Sequence, residues 1–276
     1  DSLRMSVYNP TDALPDGLPI VQITDADWDI GKNYPVEIAL RANVRETLAA
    51  LVPSLRALGA SERDAAGRRL EEMEKHNWSA RRTKLAAEYG RLAQERPIDP
   101  RYLMHRVVEA LPVNAVVVEE ALTAASALFE LLPYRDPHGL VGLASGGIGF
   151  ALPGAVGASL ALPGRPVVAV VGDGSAMYSI QALWTAAHLK LPVTYIILNN
   201  SSYRILKERM VSFRGARSFK GMELRDPAID FKALAEAMGV KASTISDPRE
   251  IDSALREAIT SGAPRLLEFI VDRGVE

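Results

Sequence analysis

Two uncharged, β-branched runs in this chain each end in residues that carry oxygen donors. Val167-Val168-Ala169-Val170-Val171 leads into Gly172-Asp173-Gly174, and Thr194-Tyr195-Ile196-Ile197-Leu198 leads into Asn199-Asn200. Such runs read as buried parallel strands. One helix between them makes a strand–helix–strand unit, which sends both C-terminal ends to the same sheet edge. Neighbouring strands lie about 4.8 Å apart, so Asp173 and Asn200 can aim oxygens at one small cation. A carboxylate, an amide oxygen and a backbone carbonyl make a hard shell that suits Mg²⁺, which fills its octahedron with water and phosphate oxygens. Gly172 and Gly174 keep Cβ atoms away from the turn. Ser175 is placed to open the next helix, whose free N–H groups favour a phosphate. No Lys or Arg occurs from Gly172 to Leu189, so the cation and the helix end must neutralise a bound anion. The plain alternative is a buried strand–helix–strand unit with ordinary turn residues.

GDGSAMYSIQALWTAAHLKLPVTYIILNN resembles the signature of thiamine-diphosphate-dependent enzymes. The flanking text, SGGIGFALPGAVGASLALPGRPVVAVVGDGS, is similar to benzoylformate decarboxylases and acetolactate-synthase-like proteins. The resemblance implies an α/β fold, a parallel sheet with helices on both faces, preceded by part of a second, Rossmann-like middle domain. It implies that Asp173, Asn200 and the carbonyl of Ser202 hold Mg²⁺. Backbone around Gly172, Gly174, Ser175 and Ala176 would cover the diphosphate, with Tyr203 nearby. Ile148 would sit beneath the thiazolium ring and impose the cofactor's bent shape, and Gly146 would offer its carbonyl to the aminopyrimidine. Glu120 and Thr123 match a diphosphate-contact turn.

The same resemblance implies a reaction. The thiazolium carbon adds to a 2-oxo acid and the ring accepts electrons as CO₂ leaves. The activating glutamate belongs to a pyrimidine-binding domain that nothing in these 276 residues resembles. The chain is therefore expected to be the C-terminal part of a longer protein, binding cofactor without turnover, in a homodimer or homotetramer. Two other expectations stand beside the decarboxylase. One is an acetolactate-synthase-like carboligase (transferase) that also binds FAD; the other is a non-catalytic α/β binding module.

Composition agrees with a cytoplasmic α/β protein: hydrophobic residues make up 48%, charged residues 24%, and the net charge is −2. Near neutrality argues against nucleic acid or an anionic membrane as partner. Zero Cys excludes disulfides and thiolate chemistry, and His76, His105, His138 and His188 are too scattered for a metal cluster. The uncharged stretch from Gly139 to Gly164 is long enough for a bilayer. Its glycines, Pro153 and Pro163 favour a glycine-rich loop followed by a helix over about 150–162.

The positioning elements follow from pattern. Pro19 to Thr24 predicts a strand. Asn43 with Glu46 predicts a capped helix to about Gly59. Ser61 opens a charged helical stretch to about Glu95, broken near Asn77, with the character of a solvated connector. Arg96-Pro97-Ile98-Asp99-Pro100 punctuates the chain, dividing it into 1–96 and 97–276. Beyond it the pattern predicts helix 102–111, strand 113–118, helix 121–132, one helix within 175–191, helix 231–238, strand 240–245, helix 248–261 and strand 265–271. Residues 204–226 carry seven Lys or Arg against three acids, which suits a solvated loop or a lid over the cofactor. Ile205, Leu206 and Arg209 would then face the substrate, with the bulk of Ile205 favouring a small acyl donor.

Overall fold

The computed structural model describes residues 14–58, 63–142 and 146–275. Ser61 and Gly59, expected at helix ends, lie outside the described residues. Two compact units divide between Asn77 and Trp78. The first pairs two parallel strands, β1 (Val21–Thr24) and β2 (Ile38–Arg41), and adds α1 (Val44–Ala57) and α2 (Arg63–His76). As the capping pattern predicts, Asn43 Oδ1 accepts from the Glu46 N–H at 3.2 Å. The β2 strand is not predicted by the sequence pattern, since Ile38-Ala39-Leu40-Arg41 holds a single β-branched residue.

The second unit opens with α3 (Trp78–Gly90) and α4 (Pro100–Ala110), then builds a six-stranded parallel sheet. Its strands are β3 (Val116–Glu120), β4 (Leu140–Gly142), β5 (Val167–Gly172), β6 (Val193–Asn199), β7 (Lys241–Ile245) and β8 (Arg265–Ile270), in spatial order β4-β3-β5-β6-β8-β7. Between them run α5 (Ala125–Leu131), α6 (Ala151–Ala161), α7 (Asp173–Ala176), α8 (Ala182–His188), α9 (Arg204–Arg214), α10 (Phe231–Ala237) and α11 (Ile251–Thr260). Alternation along each strand feeds two cores. Val117, Val168, Val170, Ile196 and Phe269 pack beneath α4, α5 and α11. Val116, Val118, Ala169, Val171, Tyr195 and Ile197 pack beneath α6, α8 and α10. Helices thus cover both faces, as expected for an all-parallel sheet.

Three expectations need correction. The charged stretch to Glu95 is not solvated throughout. In its second half, Tyr89 is buried and donates to Glu130 Oε2 at 2.9 Å, Arg81 pairs with Glu130 Oε1 at 2.6 Å, and Trp78 donates to the Glu130 carbonyl at 3.1 Å. These bonds tie α3 to α5, so α3 goes with the second unit although the proline punctuation follows it. The single helix expected after Gly174 is two, α7 and α8, separated by a turn in which Tyr178 packs on the backbone of Gly149. Residues 204–214 form α9 where a loop was expected. Its helical period places Lys207 inward, 2% exposed, bonded to Glu223 Oε1 at 2.5 Å.

The sheet order sets the site. From β3 the chain leaves toward β4 on one side, then returns to β5 on the other. At such a switch the loops beyond the carboxyl ends of β3 and β5 diverge and leave a crevice.

Candidate functional site

A cleft of about 350 Å³ opens there, lined by the loops after β3, β5 and β6: Ala121 to Thr123, Gly172 to Ser175, and Asn200 with Ser202 to Leu206. Ile148 and Tyr178 complete the wall. β5 and β6 are neighbours with Gly172 opposite Leu198, so Asp173 and Asn200 emerge side by side.

Asp173 is the chemical centre of this wall. It is 3% exposed, and its Oδ1 accepts from the Gly174 N–H at 2.8 Å. Its Oδ2 is buried without a partner. Burial pushes the Asp173 carboxyl up to about 6, and the N–H groups of Gly174, Ser201, Ser202 and Asn200 pull it part of the way back. Asn200 and Ser202, in the loop after β6, line the same wall as the Asp173 carboxylate. Asn200 Oδ1 accepts from the Ser202 N–H and hydroxyl, each at 3.0 Å, which curls the chain so that Ser202 is buried beside Asp173. Ser175 Oγ is also buried and unpartnered. A buried anionic oxygen with nothing bonded to it costs several kcal/mol unless a cation or donor reaches it. The donor set therefore fits Mg²⁺: one carboxylate, one amide oxygen and one carbonyl, all oxygen. Among the described residues no cluster of three or more His, Cys, Asp or Glu offers a rival metal site.

The glycines differ in their reasons. A Cβ on Gly174 would lie 2.7 Å from Tyr203 Cε1 and 2.8 Å from its Cδ1, so the Tyr203 ring requires glycine there. Gly172 has ordinary extended backbone and open space around it (φ −72°, ψ 152°), so nothing in the chain's own packing demands it. The helix expected to start at Ser175 starts at Asp173, with Gly172 as its cap, and lasts four residues. A single turn aligns few N–H groups, so its dipole is small.

The other expected residues separate. Thr123, Ile148, Tyr203, Ile205 and Leu206 line the cleft, with Ile148 43% exposed. Glu120 does not. Its two oxygens accept from the Gly149 N–H at 2.5 Å and the Ala151 N–H at 2.7 Å, clamping the glycine-rich loop and the start of α6. Gly146 lies in that loop at φ +68°, outside the lining. The Ala176 side chain belongs to the core beneath α6 and α8, and Arg209 sits half-buried on α9 away from the lining.

Leu122, Tyr178 and Arg204 were missed. Leu122 is exposed at φ +52°, a left-handed leucine that no propensity would signal. Arg204, the one cation in the lining among the described residues, donates to Glu208 Oε1 at 2.7 Å and to the Asp272 carbonyl at 3.0 Å. No described helix is long and apolar enough to cross a membrane.

Comparison with known proteins gives a consistent answer. The sequence pattern described as "Thiamine pyrophosphate enzyme, C-terminal TPP binding domain" matches residues 121–269. Benzoylformate decarboxylase of Pseudomonas aeruginosa is 34% identical over 267 residues, 96% of this chain and 46% of its own length. The acetolactate synthase large subunit of Pyropia yezoensis is 36% identical over 139 residues, 50% of this chain and 23% of its own. The solved structure of a thiamine diphosphate-dependent 4-hydroxybenzoylformate decarboxylase from Rhodococcus jostii RHA1 superposes with a TM-score of 0.75 at 28% identity, over 99% of this chain and 47% of that one. The chain thus spans under half the length of the relatives it matches from end to end. Since residues 121–269 include the whole run of loops from Ala121 to Leu206 that builds the cleft, the chain belongs to the thiamine pyrophosphate enzymes and contains their C-terminal cofactor-binding domain.

Proposed function

We propose that this chain is the Mg²⁺- and diphosphate-binding part of a benzoylformate decarboxylase-like lyase acting on 2-oxo acids. The observation that carries the reading is Asp173 Oδ2, buried and unpartnered in a cleft wall shared with Asn200 and Ser202. Asp173, Asn200 Oδ1 and the Ser202 carbonyl would hold the cation. The Asn200 oxygen already accepts two internal bonds, and ligation exchanges one of them for the metal. Ser175 Oγ is a free donor for a diphosphate oxygen. When bound, thiamine diphosphate supplies the electron sink for breaking the bond to the carboxylate of a 2-oxo acid. Ile148 gives the cleft an apolar floor, and Ile205 and Leu206 narrow the acyl side toward a small donor.

Asp173 is the sole carboxylate in the lining among the described residues, and it would be committed to the cation. By resemblance to the family the activating carboxylate would come from a pyrimidine-binding domain, and residues 1–96 are read as the C-terminal part of a middle domain plus a helical connector. The isolated chain binds cofactor weakly and does not turn over. Exposed Tyr178 in the cleft lining and exposed Trp184 on α8 suit assembly into a homodimer or homotetramer.

Calorimetry of the 276-residue chain with Mg²⁺ and millimolar thiamine diphosphate tests the reading. Binding without CO₂ release from a 2-oxo acid is expected. No heat with Asp173 intact would identify a non-catalytic module, and CO₂ release by the chain alone would refute the need for a second domain. In the intact protein, bound flavin absorbance would point instead to an acetolactate-synthase-like carboligase.

A further inference from the structure

The two asparagines at the end of β6 each hold the serine two residues on, but Asn199 alone of the two is also bonded to a neighbouring strand. Asn200 folds onto Ser202. Asn199 faces along the sheet: its Oδ1 accepts from the Ser201 N–H at 2.9 Å and the Ser201 hydroxyl at 3.1 Å, and its Nδ2 donates to Glu268 Oε1 at 2.6 Å. Glu268 stands on β8, the strand beside β6. Its second oxygen accepts from the Thr244 hydroxyl on β7 at 2.7 Å. A continuous chain of hydrogen bonds therefore runs from β7 through β8 and β6 into the loop beside Asp173.

Glu268 is 4% exposed and forms no ion pair with Lys or Arg among the described residues. A buried carboxylate satisfied only by neutral donors is a costly choice for packing, since an apolar side chain would serve a central strand better. What a carboxylate does and an amide does not is accept at both oxygens. It thereby dictates which end of the Asn199 amide faces it, leaving Oδ1 turned to Ser201. Ser201 needs that hold, because it sits at φ +54°, a region that residues other than glycine seldom adopt. The left-handed turn at Ser201 leads into Ser202, which is held by Asn200 Oδ1 and lines the cleft wall together with Asp173.

We propose that Glu268, backed by Thr244, is a positioning residue for the cation-binding loop. It fixes the Asn199 amide and through it the turn at Ser201, so that Ser202 and Asn200 converge on Asp173. Glu268 touches neither cation nor cofactor. The inference rests on the reading of Asp173, Asn200 and Ser202 as the cation ligands, and its test separates the two.

The test uses the full chain and two readouts: amide hydrogen exchange at Ser201 without any ligand, and Mn²⁺ affinity in the presence of thiamine diphosphate. In Glu268→Leu, Ser201 exchange should accelerate at least tenfold while Tyr195 to Leu198 in β6 hold, and Mn²⁺ should bind at least tenfold more weakly. Asn199→Asp sets two carboxylates against each other and should do the same. Adding Glu268→Gln to it restores a donor opposite an acceptor with side-chain size unchanged, and should return both readouts to within threefold of the parent. That rescue decides the matter even if Glu268→Leu fails to fold. Unchanged Ser201 exchange in Asn199→Asp, or no recovery in the double variant, would overturn the proposal. If the parent chain binds no Mn²⁺ but the exchange pattern and its rescue appear, the positioning of Ser201 stands and the cation reading alone falls.

Discussion

The stretch up to Asn77 and the stretch from Trp78 onward treat apolar surface in opposite ways. In the second, strand residues alternate between two cores, and side chains such as Phe269, Leu103 and Ile196 are fully buried. In the first, no described residue is buried, and α1 leaves Leu48, Leu51, Val52 and Leu55 exposed along one side. Both stretches contain parallel strands and well-formed helices. Only the second closes them around a core, and the cleft depends on that closure. Asp173 can be held half-satisfied only because the strands beneath it are rigidly packed, for a buried unpaired oxygen is tolerated where the surroundings over-determine its position.

Substitutions can break this contrast. Phe269→Ala should cost about 3–5 kcal/mol, since it opens a cavity among fully packed neighbours. Leu51→Ala in α1, already half-exposed, should cost below about 1 kcal/mol. Equal losses in urea unfolding would erase the distinction between the two stretches.

Asp173→Asn is expected to act in two directions. Burial raises the Asp173 carboxyl from 3.8 to about 6, so the fold favours its protonated form. Stability is therefore full below pH 3.8 and is lost as pH rises through about 6. By that shift, the neutral amide should raise cation-free stability at pH 7.5 by up to about 3 kcal/mol. The same change should abolish measurable Mg²⁺ binding. In the parent, the melting-point gain from Mg²⁺ should shrink between pH 7.5 and pH 5, because a carboxyl titrating at about 6 must first lose a proton, a roughly tenfold loss of affinity at pH 5. A gain that is flat across this range would remove Asp173 from the cation shell.

The smallest of these effects sharpens the comparison inside the site. Gly174→Ala forces the Tyr203 ring aside and should cost about 1–3 kcal/mol, while Gly172→Ala, with open space around it, should leave stability within about 0.5 kcal/mol. If Gly172→Ala nevertheless weakens thiamine diphosphate binding, the space it lines belongs to the ligand.

Much of the sheet is legible in the amino-acid sequence. β5 and β6 are uninterrupted β-branched runs bounded by Gly-Asp-Gly and Asn-Asn, and a fully buried parallel strand leaves that mark because both its faces exclude charge. β2 (IALR) has a single β-branched residue and β4 is three residues inside a glycine-rich stretch, so neither left a mark. α9 was hidden by its own charges. Lys207 reads as a solvated residue, yet it lies over Phe219 and against Glu223, whose carboxyl it holds below the usual range together with Arg225. Glu120, a carboxylate at a strand end, resembled a ligand contact by position, whereas its hydrogen bonds make it the clamp on the glycine-rich loop.

The order of residues was enough to put an acid and an amide at the ends of adjacent parallel strands, because strand burial and the handedness of the crossover are local and chiral rules. Which oxygen stays free, which glycine yields to Tyr203, and which distant carboxylate on β8 turns Asn199 toward Ser201 were decided only by folding. Those outcomes depend on partners dozens of residues apart, and no window along the chain contains both members of the pair.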